Sequence, residues 1–425
     1  MINEDFLYYL WKFRKFNYEN LKTCDGEAIE VQETGEQNTD SGPDFLNAKV
    51  KIGNTVWYGN IEMHIYSSDW EKHRHDQDPA YNSVILHVVY EHDQICKTQS
   101  GITLPCLELK SRISKIDLRN YKLLRFNKNW IPCEKLFPDI SGISKISAME
   151  KSLSDRLLRK SFRLKEILEK NKYDWEESFF VYMSRYFGMK LNSDAFEMLA
   201  MSCTLKTILR EKDNLKRIEA LLFGQAGFLN EIFVDDYPQE LKTEYNHLKI
   251  KYDLIQVPVS IWKFSRLRPS NFPAVRIALL AKLLFQNNNI FEKVISGNKL
   301  EDFKKLFLTT GSEYWEDHYN FDALSEKKIK KAGKTSVDVL IINTVVPAIF
   351  LYGHLNDSEK HKETALNILN ELPAETNSII TKWKTLGLDV NTAYDSQALI
   401  ELKLNNCNVH KCLHCPIGFE IMKSN

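Results

Sequence analysis

Gly42–Tyr90 reads GPDFLNAKVKIGNTVWYGNIEMHIYSSDWEKHRHDQDPAYNSVILHVVY, and the reading of this stretch decides the fold. Phe45–Ile52 and Thr55–Tyr66 are two β-rich runs joined by Gly53-Asn54, a dipeptide suited to a tight hairpin because glycine accepts positive φ. Alternation along the second run puts Asn60, Glu62 and His64 on one face and Trp57, Ile61, Met63 and Ile65 on the other. A polar strand face is ordinarily the solvent face of an antiparallel sheet. Asp44 adds a chemical reading. It follows Gly42-Pro43 at the mouth of the paired strand, where its carboxylate would meet that of Glu62. Two carboxylates held together repel, and a divalent cation between them relieves the repulsion.

Working outward, Phe6–Phe16 carries a helical apolar stripe, Ala28–Gln32 reads as a strand, Ser68–Gln77 as a helix and Val84–Tyr90 as a buried strand. The expected fold is an α+β module in the order α-β-β-β-α-β, followed by a mostly α-helical domain. With Pro43-Asp44 before one strand and Glu62-Met63-His64 on the next, the module resembles the PD-(D/E)XK, or restriction-endonuclease-like, nuclease superfamily over about residues 1–110. The resemblance implies that Asp44 and Glu62 bind Mg2+ or Mn2+ in a nucleic-acid hydrolase. The superfamily places a lysine two residues after the glutamate to orient water. Here His64 stands in that position, with Lys49 or Lys51 as candidates for a displaced lysine. Histidine can act as a base or ligand near neutral pH but lacks a permanent charge. The whole chain also resembles an uncharacterised bacterial family, a domain of unknown function, which adds no activity.

The 425 residues, 43% hydrophobic and 12% aromatic, exclude global disorder and suffice for two or three domains. The first residues, Met-Ile-Asn-Glu-Asp, do not read as a signal peptide, and the longest apolar run, Val339–Tyr352, is interrupted by Asn343 and Pro347, so no membrane span is expected. Eight cysteines without a secretory signal point to a reducing cytoplasm. The net charge of zero hides an asymmetry: residues 1–109 hold 18 Asp and Glu against 9 Lys and Arg, whereas residues 110–170 hold 7 against 16. A basic segment beside an acidic metal module suits a phosphate-backbone binder, and equally suits solvated helix faces or internal neutralisation.

Three imidazoles, His64, His73 and His75, fall within twelve residues. On a helix, His73 and His75 point to different faces, so shared ligation requires a loop or strand there; phosphate contact and simple exposure are the other readings. His87, amid Ile85, Val88 and Val89, reads as a hydrogen-bonded core histidine. Thr103–Lys110 reads as a further strand. Beyond it Arg112, Lys115, Arg119, Lys122 and Arg125 form a basic helical stripe, and Arg119, Lys122 and Arg125 are the nucleic-acid-binding candidates. Gly142 is the expected hinge. It separates an α/β domain, 1–142, from a helical domain, 143–405, which is followed by a Cys-rich segment, 406–425. Asp174, Ser193 and Ser336 are expected helix caps. In Arg268-Pro-Ser-Asn-Phe-Pro273, Arg268, Asn271 and Arg276 read as a turn leading into a helix, or as an anion site at its N-terminus.

Cys407, Cys412 and Cys415 crowd the C-terminal segment. Thiolates so spaced can share a tetrahedral metal, Zn2+ or an iron–sulfur cluster, with Cys133 or a nearby histidine as the fourth ligand; buried thiols and a redox CxxC are the alternatives. Three functions follow as expectations. The first is a metal-dependent nuclease using Asp44, Glu62 and His64. The second is a catalytically inactive nucleic-acid-binding or interaction protein, and the third is a helical scaffold. Substrate and oligomeric state are not encoded in any motif.

Overall fold

The computed structural model describes residues 2–424, which fall into two compact units. The first runs to Ala148 and resumes at Leu402; the second is Met149–Glu401. The chain therefore changes unit a few residues after the expected hinge. Gly142 is the first residue of a 29-residue helix and not a flexible joint.

In the first unit the helix α1 (Glu4–Lys12) starts at Asn3, whose side chain accepts the Phe6 N–H, and it buries Phe6, Leu7, Leu10 and Trp11. It stops earlier than its apolar pattern suggests, at a turn where Arg14 takes a φ of 49°. A mixed sheet follows, built from β1 (Ile29–Glu33), β2 (Glu36–Gln37), β3 (Phe45–Ile52), β4 (Thr55–Tyr66), β5 (Val84–Glu91) and β6 (Cys106–Glu108). Its order is β1-β3-β4-β5-β6, with β2 also on β3. The β3–β4 hairpin closes with Ile52 opposite Thr55 around Gly53, whose φ is 58°. Strands β5 and β6 join in parallel, so β4 sits at the centre of the sheet.

That central position excludes the solvent-face reading of the polar side of β4. Ile61, Glu62, Met63 and His64 are all buried, whereas Thr55–Tyr58 project beyond the start of β5 and leave Trp57 exposed. The expected Ser68–Gln77 helix shrinks to one turn, α2 (Asp69–Lys72). Trp70 drops fully into the core and donates its indole N–H to the Lys97 carbonyl, while Asp93 ties down Ser67 and Ser68. Arg74, with a φ of 63°, then reverses the chain.

The basic helix α3 (Lys115–Phe126) packs through Asn120, Tyr121 and Leu124. The C-terminal segment is part of this unit and not a separate body. Asn120 donates to the carbonyls of Ile421 and Ser424 at 3.0 Å each, and Phe419 packs edge-on against Tyr9 and tilted against Phe13.

The second unit is helical around a large apolar core that includes Phe179, Phe180, Leu221 and Leu280. It also holds a small hairpin, β7 (His318–Asn320) and β8 (Ala323–Leu324), where only helices were expected. Asp174 caps its helix as read, but the helix at 193 starts on Ser193 itself and that at 334 on Lys334, so Ser193 and Ser336 fall inside their first turns. Arg276 is not part of an anion site: it is buried, donates to the Phe187 carbonyl at 2.9 Å and lies over the Phe187 ring.

The helical run Lys334–Leu355 is long and apolar enough to cross a membrane, yet 78% of its apolar window is buried within the protein. Pro347 cannot donate a backbone hydrogen bond, and the preceding Ile341–Val345 widens into a π turn. There Asn343 and Thr344 bond back to Val339 and Leu340.

Candidate metal centre

Asp44 ends the loop that enters β3, and Glu62 points from the middle of β4. The backbone N–H of Asp44 donates to Glu62 Oε2 at 3.1 Å, and Asp44 Oδ2 accepts the Met63 N–H at 2.9 Å. The hairpin thus brings the two carboxylates together, as the sequence suggested. Each is unfavourably placed as an anion. Burial, and then the charge of Asp44, push Glu62 up to about 9. Burial also raises Asp44, despite hydrogen bonds from Tyr8 and Met63.

The imidazoles gather at the same point. Because α2 ends at Lys72 and the chain reverses at Arg74, the exposed His73 and the partly buried His75 can both reach His64, which a continuous helix would forbid. One donor atom each from His64, His73 and His75 lie within 4.8 Å of one another. His75 Nε2 is 3.3 Å and His64 Nε2 3.7 Å from Glu62 Oε1. His64 Nε2 also meets His73 Nδ1 at 3.1 Å, while His64 Nδ1 meets His87 Nε2 at 2.8 Å. In each contact one ring nitrogen donates its proton and the other accepts through its lone pair. Burial, then the neighbouring His87, His75 and His73, hold His64 down at about 2. Burial likewise lowers His87 to about 3. His87 is thus the buried, hydrogen-bonded histidine its pattern suggested, and it backs His64.

His64, held neutral, therefore carries no permanent charge. A neutral, buried imidazole offers a lone pair, so its chemistry is that of a ligand and not of a charge beside water. Asp44, Glu62, His64, His73 and His75 could together hold a metal ion. Lys49 and Lys51 are poor substitutes for the lysine: they lie on β3 beyond its bulge near Asn47, and Lys49 is placed 5.2 Å from the Tyr58 ring.

Two lining residues were missed. Tyr8 donates its hydroxyl to Asp44 Oδ1 at 2.7 Å, and burial together with Asp44 raises its pKa far above the usual phenol. Glu4, one turn earlier on α1, is raised by burial and by the charges of Asp44 and Glu62. Their i, i+4 spacing puts both on one face of α1, but the sequence of α1 does not say what that face meets.

The C-terminal cysteines and Cys133 act electrostatically on one another. Cys407, half-buried at the end of a π turn (Leu402–Cys407), has its thiol pKa raised by desolvation and then by Cys133, Cys415 and Cys412. Cys412 is pushed up to about 12 by burial, Cys133 and Cys415. Lys403 helps bring the early cysteine toward them, donating to the Trp130 carbonyl at 2.6 Å three residues before Cys133. The basic stripe is divided. Arg119 and Lys122 are exposed, whereas Arg125 is half-buried and its charge acts on Cys412.

A family model described as "Protein of unknown function (DUF2851)" matches residues 4–378, most of the chain. No curated protein and no solved structure matches it. The chain belongs to the family of proteins of unknown function DUF2851.

Proposed function

We propose that this protein is a metal-dependent phosphodiesterase acting on nucleic acid, built on a restriction-endonuclease-like core, with its centre at Asp44, Glu62, His64, His73 and His75. The observation that carries this reading is the meeting of Asp44 and Glu62 across the β3–β4 hairpin, beside three clustered imidazoles. Burying two carboxylates so close is costly unless a cation compensates them. The nitrogen-rich donor set suits Mn2+ or Zn2+ better than Mg2+, which prefers oxygen ligands. When bound, such an ion would polarise a phosphoryl oxygen and lower the pKa of water. The chain's own part is to hold these donors. Tyr8 fixes Asp44, the Asp44 N–H fixes Glu62, and His87 fixes the His64 ring. Exposed Arg119 and Lys122 would hold phosphates. The C-terminal cysteines with Cys133 would form a structural Zn2+ or iron–sulfur site beside this core.

The test is cleavage of single- and double-stranded DNA and RNA with Mn2+, Zn2+ or Mg2+, comparing wild type with Glu62→Gln and Arg119→Ala/Lys122→Ala. Glu62→Gln should abolish cleavage and leave nucleic-acid affinity nearly unchanged. The basic double variant should instead weaken binding and reduce its salt slope by roughly one per lost phosphate contact. Salt-dependent binding without cleavage under any metal would favour an inactive nucleic-acid-binding protein. Absence of both would leave a helical scaffold.

A further inference from the structure

A second cluster of metal-ligating side chains shares no residue with the centre above. Cys24, His92 and Cys106 come from three separate segments, and one donor atom of each lies within 4.8 Å of the other two. Cys24 sits in a tight turn, with Thr23 N–H bonded to the Glu27 carbonyl at 2.8 Å and Gly26 at a φ of 95°. The Cys24 N–H donates to the Cys106 carbonyl at 2.8 Å, which stitches this turn to β6. His92 follows β5, and its backbone N–H donates to Glu108 Oε2 at 2.9 Å, two residues along β6 from Cys106. Strand β6 therefore positions both other donors. His92 Nδ1 is buried without a hydrogen-bond partner among the described residues, an arrangement a polar group rarely keeps without a use.

We infer that Cys24, His92 and Cys106 form a binding site for a thiophilic transition-metal ion of the Zn2+ class. Two sulfurs and an imidazole are a preferred zinc donor set, with Zn–S near ~2.3 Å and Zn–N near ~2.0–2.1 Å. Small rotamer changes bring donors already this close onto one ion. The fourth position falls to Glu108, whose carboxylate is held beside His92, or to water, since Cys24 is exposed. Binding converts both thiols to thiolates and releases up to two protons to solvent; no electron is transferred. A Cys24–Cys106 disulfide would need an oxidant and would leave His92 unused.

Full-length protein, kept reduced and stripped with a chelator, is titrated with Co2+ as the probe. In a Cys407→Ser/Cys412→Ser/Cys415→Ser background, one equivalent beyond any held by the carboxylate–imidazole centre should bind, and it alone should carry a thiolate-to-cobalt charge-transfer band. Adding Cys24→Ser should remove that band. His92→Ala should weaken binding by at least the roughly tenfold cost of losing a supporting partner. If the background variant does not fold, the subtraction is made in the otherwise wild-type chain, where Cys24→Ser should lower bound Co2+ by one equivalent. Unchanged stoichiometry and absorbance in Cys24→Ser would overturn the site, as would unchanged affinity in His92→Ala. Recovery of a Cys24–Cys106 disulfide peptide from protein kept with Zn2+ and reductant would also overturn it.

Discussion

Glu62 carries the strongest demand on this structure, because its neighbours suit it as an anion only when a cation is present. In metal-free protein its pKa rises from 4.5 in the unfolded chain to about 9 in the folded one. Folding then favours its protonated form, a contribution complete below about pH 4.5 and lost as pH climbs toward 9. His64 and His87 act in the opposite sense. Lowered from 6.5 to about 2 and about 3, they contribute stability above about pH 6.5 that is lost as pH falls toward those values. The apo protein should therefore be most stable in mildly acidic solution. Added Zn2+ or Mn2+ should raise its melting temperature more at about pH 8 than at about pH 5, because the ion stabilises the carboxylate and competes with protons for the imidazoles. Scanning fluorimetry across pH, with and without metal, measures this. An equal metal-induced shift at both pH values would count against ligation by Glu62. Glu62→Gln should flatten the alkaline loss in apo protein. Asp44, Glu62 and His64 were legible in the sequence because spacing along a hairpin is local. Tyr8 and Glu4 were not, since nothing in α1 alone says what its polar edge will face.

At the scale of elements, the β3–β4 hairpin was read to the residue, because alternation and Gly53-Asn54 are strong local signals. The helix expected over Ser68–Gln77 failed for a tertiary reason. Trp70 is fully buried with its indole N–H on the Lys97 carbonyl, and Arg74 takes a φ of 63°, which an α-helix does not accommodate. The shortened helix is what lets His73 and His75 meet, so the least legible element is the one the site depends on. Registration of β4 against β5 depends on Gly59, where an added Cβ would lie 2.6 Å from the Ser83 carbonyl oxygen and 2.4 Å from Ile85 Cγ2. Gly59→Ala should destabilise the protein by about 1–3 kcal/mol through overpacking. Gly142, by contrast, starts a helix with nothing within 4 Å of an added Cβ, so Gly142→Ala should be neutral or stabilising by about 0.4–1 kcal/mol. Urea denaturation of both variants measures the difference. A Gly59→Ala midpoint equal to wild type would mean that β5 shifts without cost.

For the whole molecule, the C-terminal segment returns to a unit whose other residues lie some three hundred positions earlier. Sequence reading isolated it by its cysteines, because a contact such as Asn120 to Ile421 leaves no periodicity or spacing to detect. Its packing makes it part of the first unit's core. Ile417, Ile421 and Met422 are buried, Phe419 lies 4.7 Å from the Phe13 ring, and Ser141 bonds Glu420 through both N–H and hydroxyl. Fully burying one such aliphatic side chain contributes about 1.5–3 kcal/mol. Losing several removes an amount comparable to the roughly 5–15 kcal/mol by which a domain is stable. A chain ending at Glu401 should therefore lose the first unit's fold while Met149–Glu401, with its own continuous core, stays helical. Limited proteolysis read by mass spectrometry should show rapid digestion before Met149 and protection after it. Ile421→Ala in the full chain should weaken the same region by about 2–5 kcal/mol without abolishing it. If the truncated chain kept its protease resistance before Met149, the first unit would be complete without its returning segment. The cysteine locus would then have to be explained without a role in holding that fold.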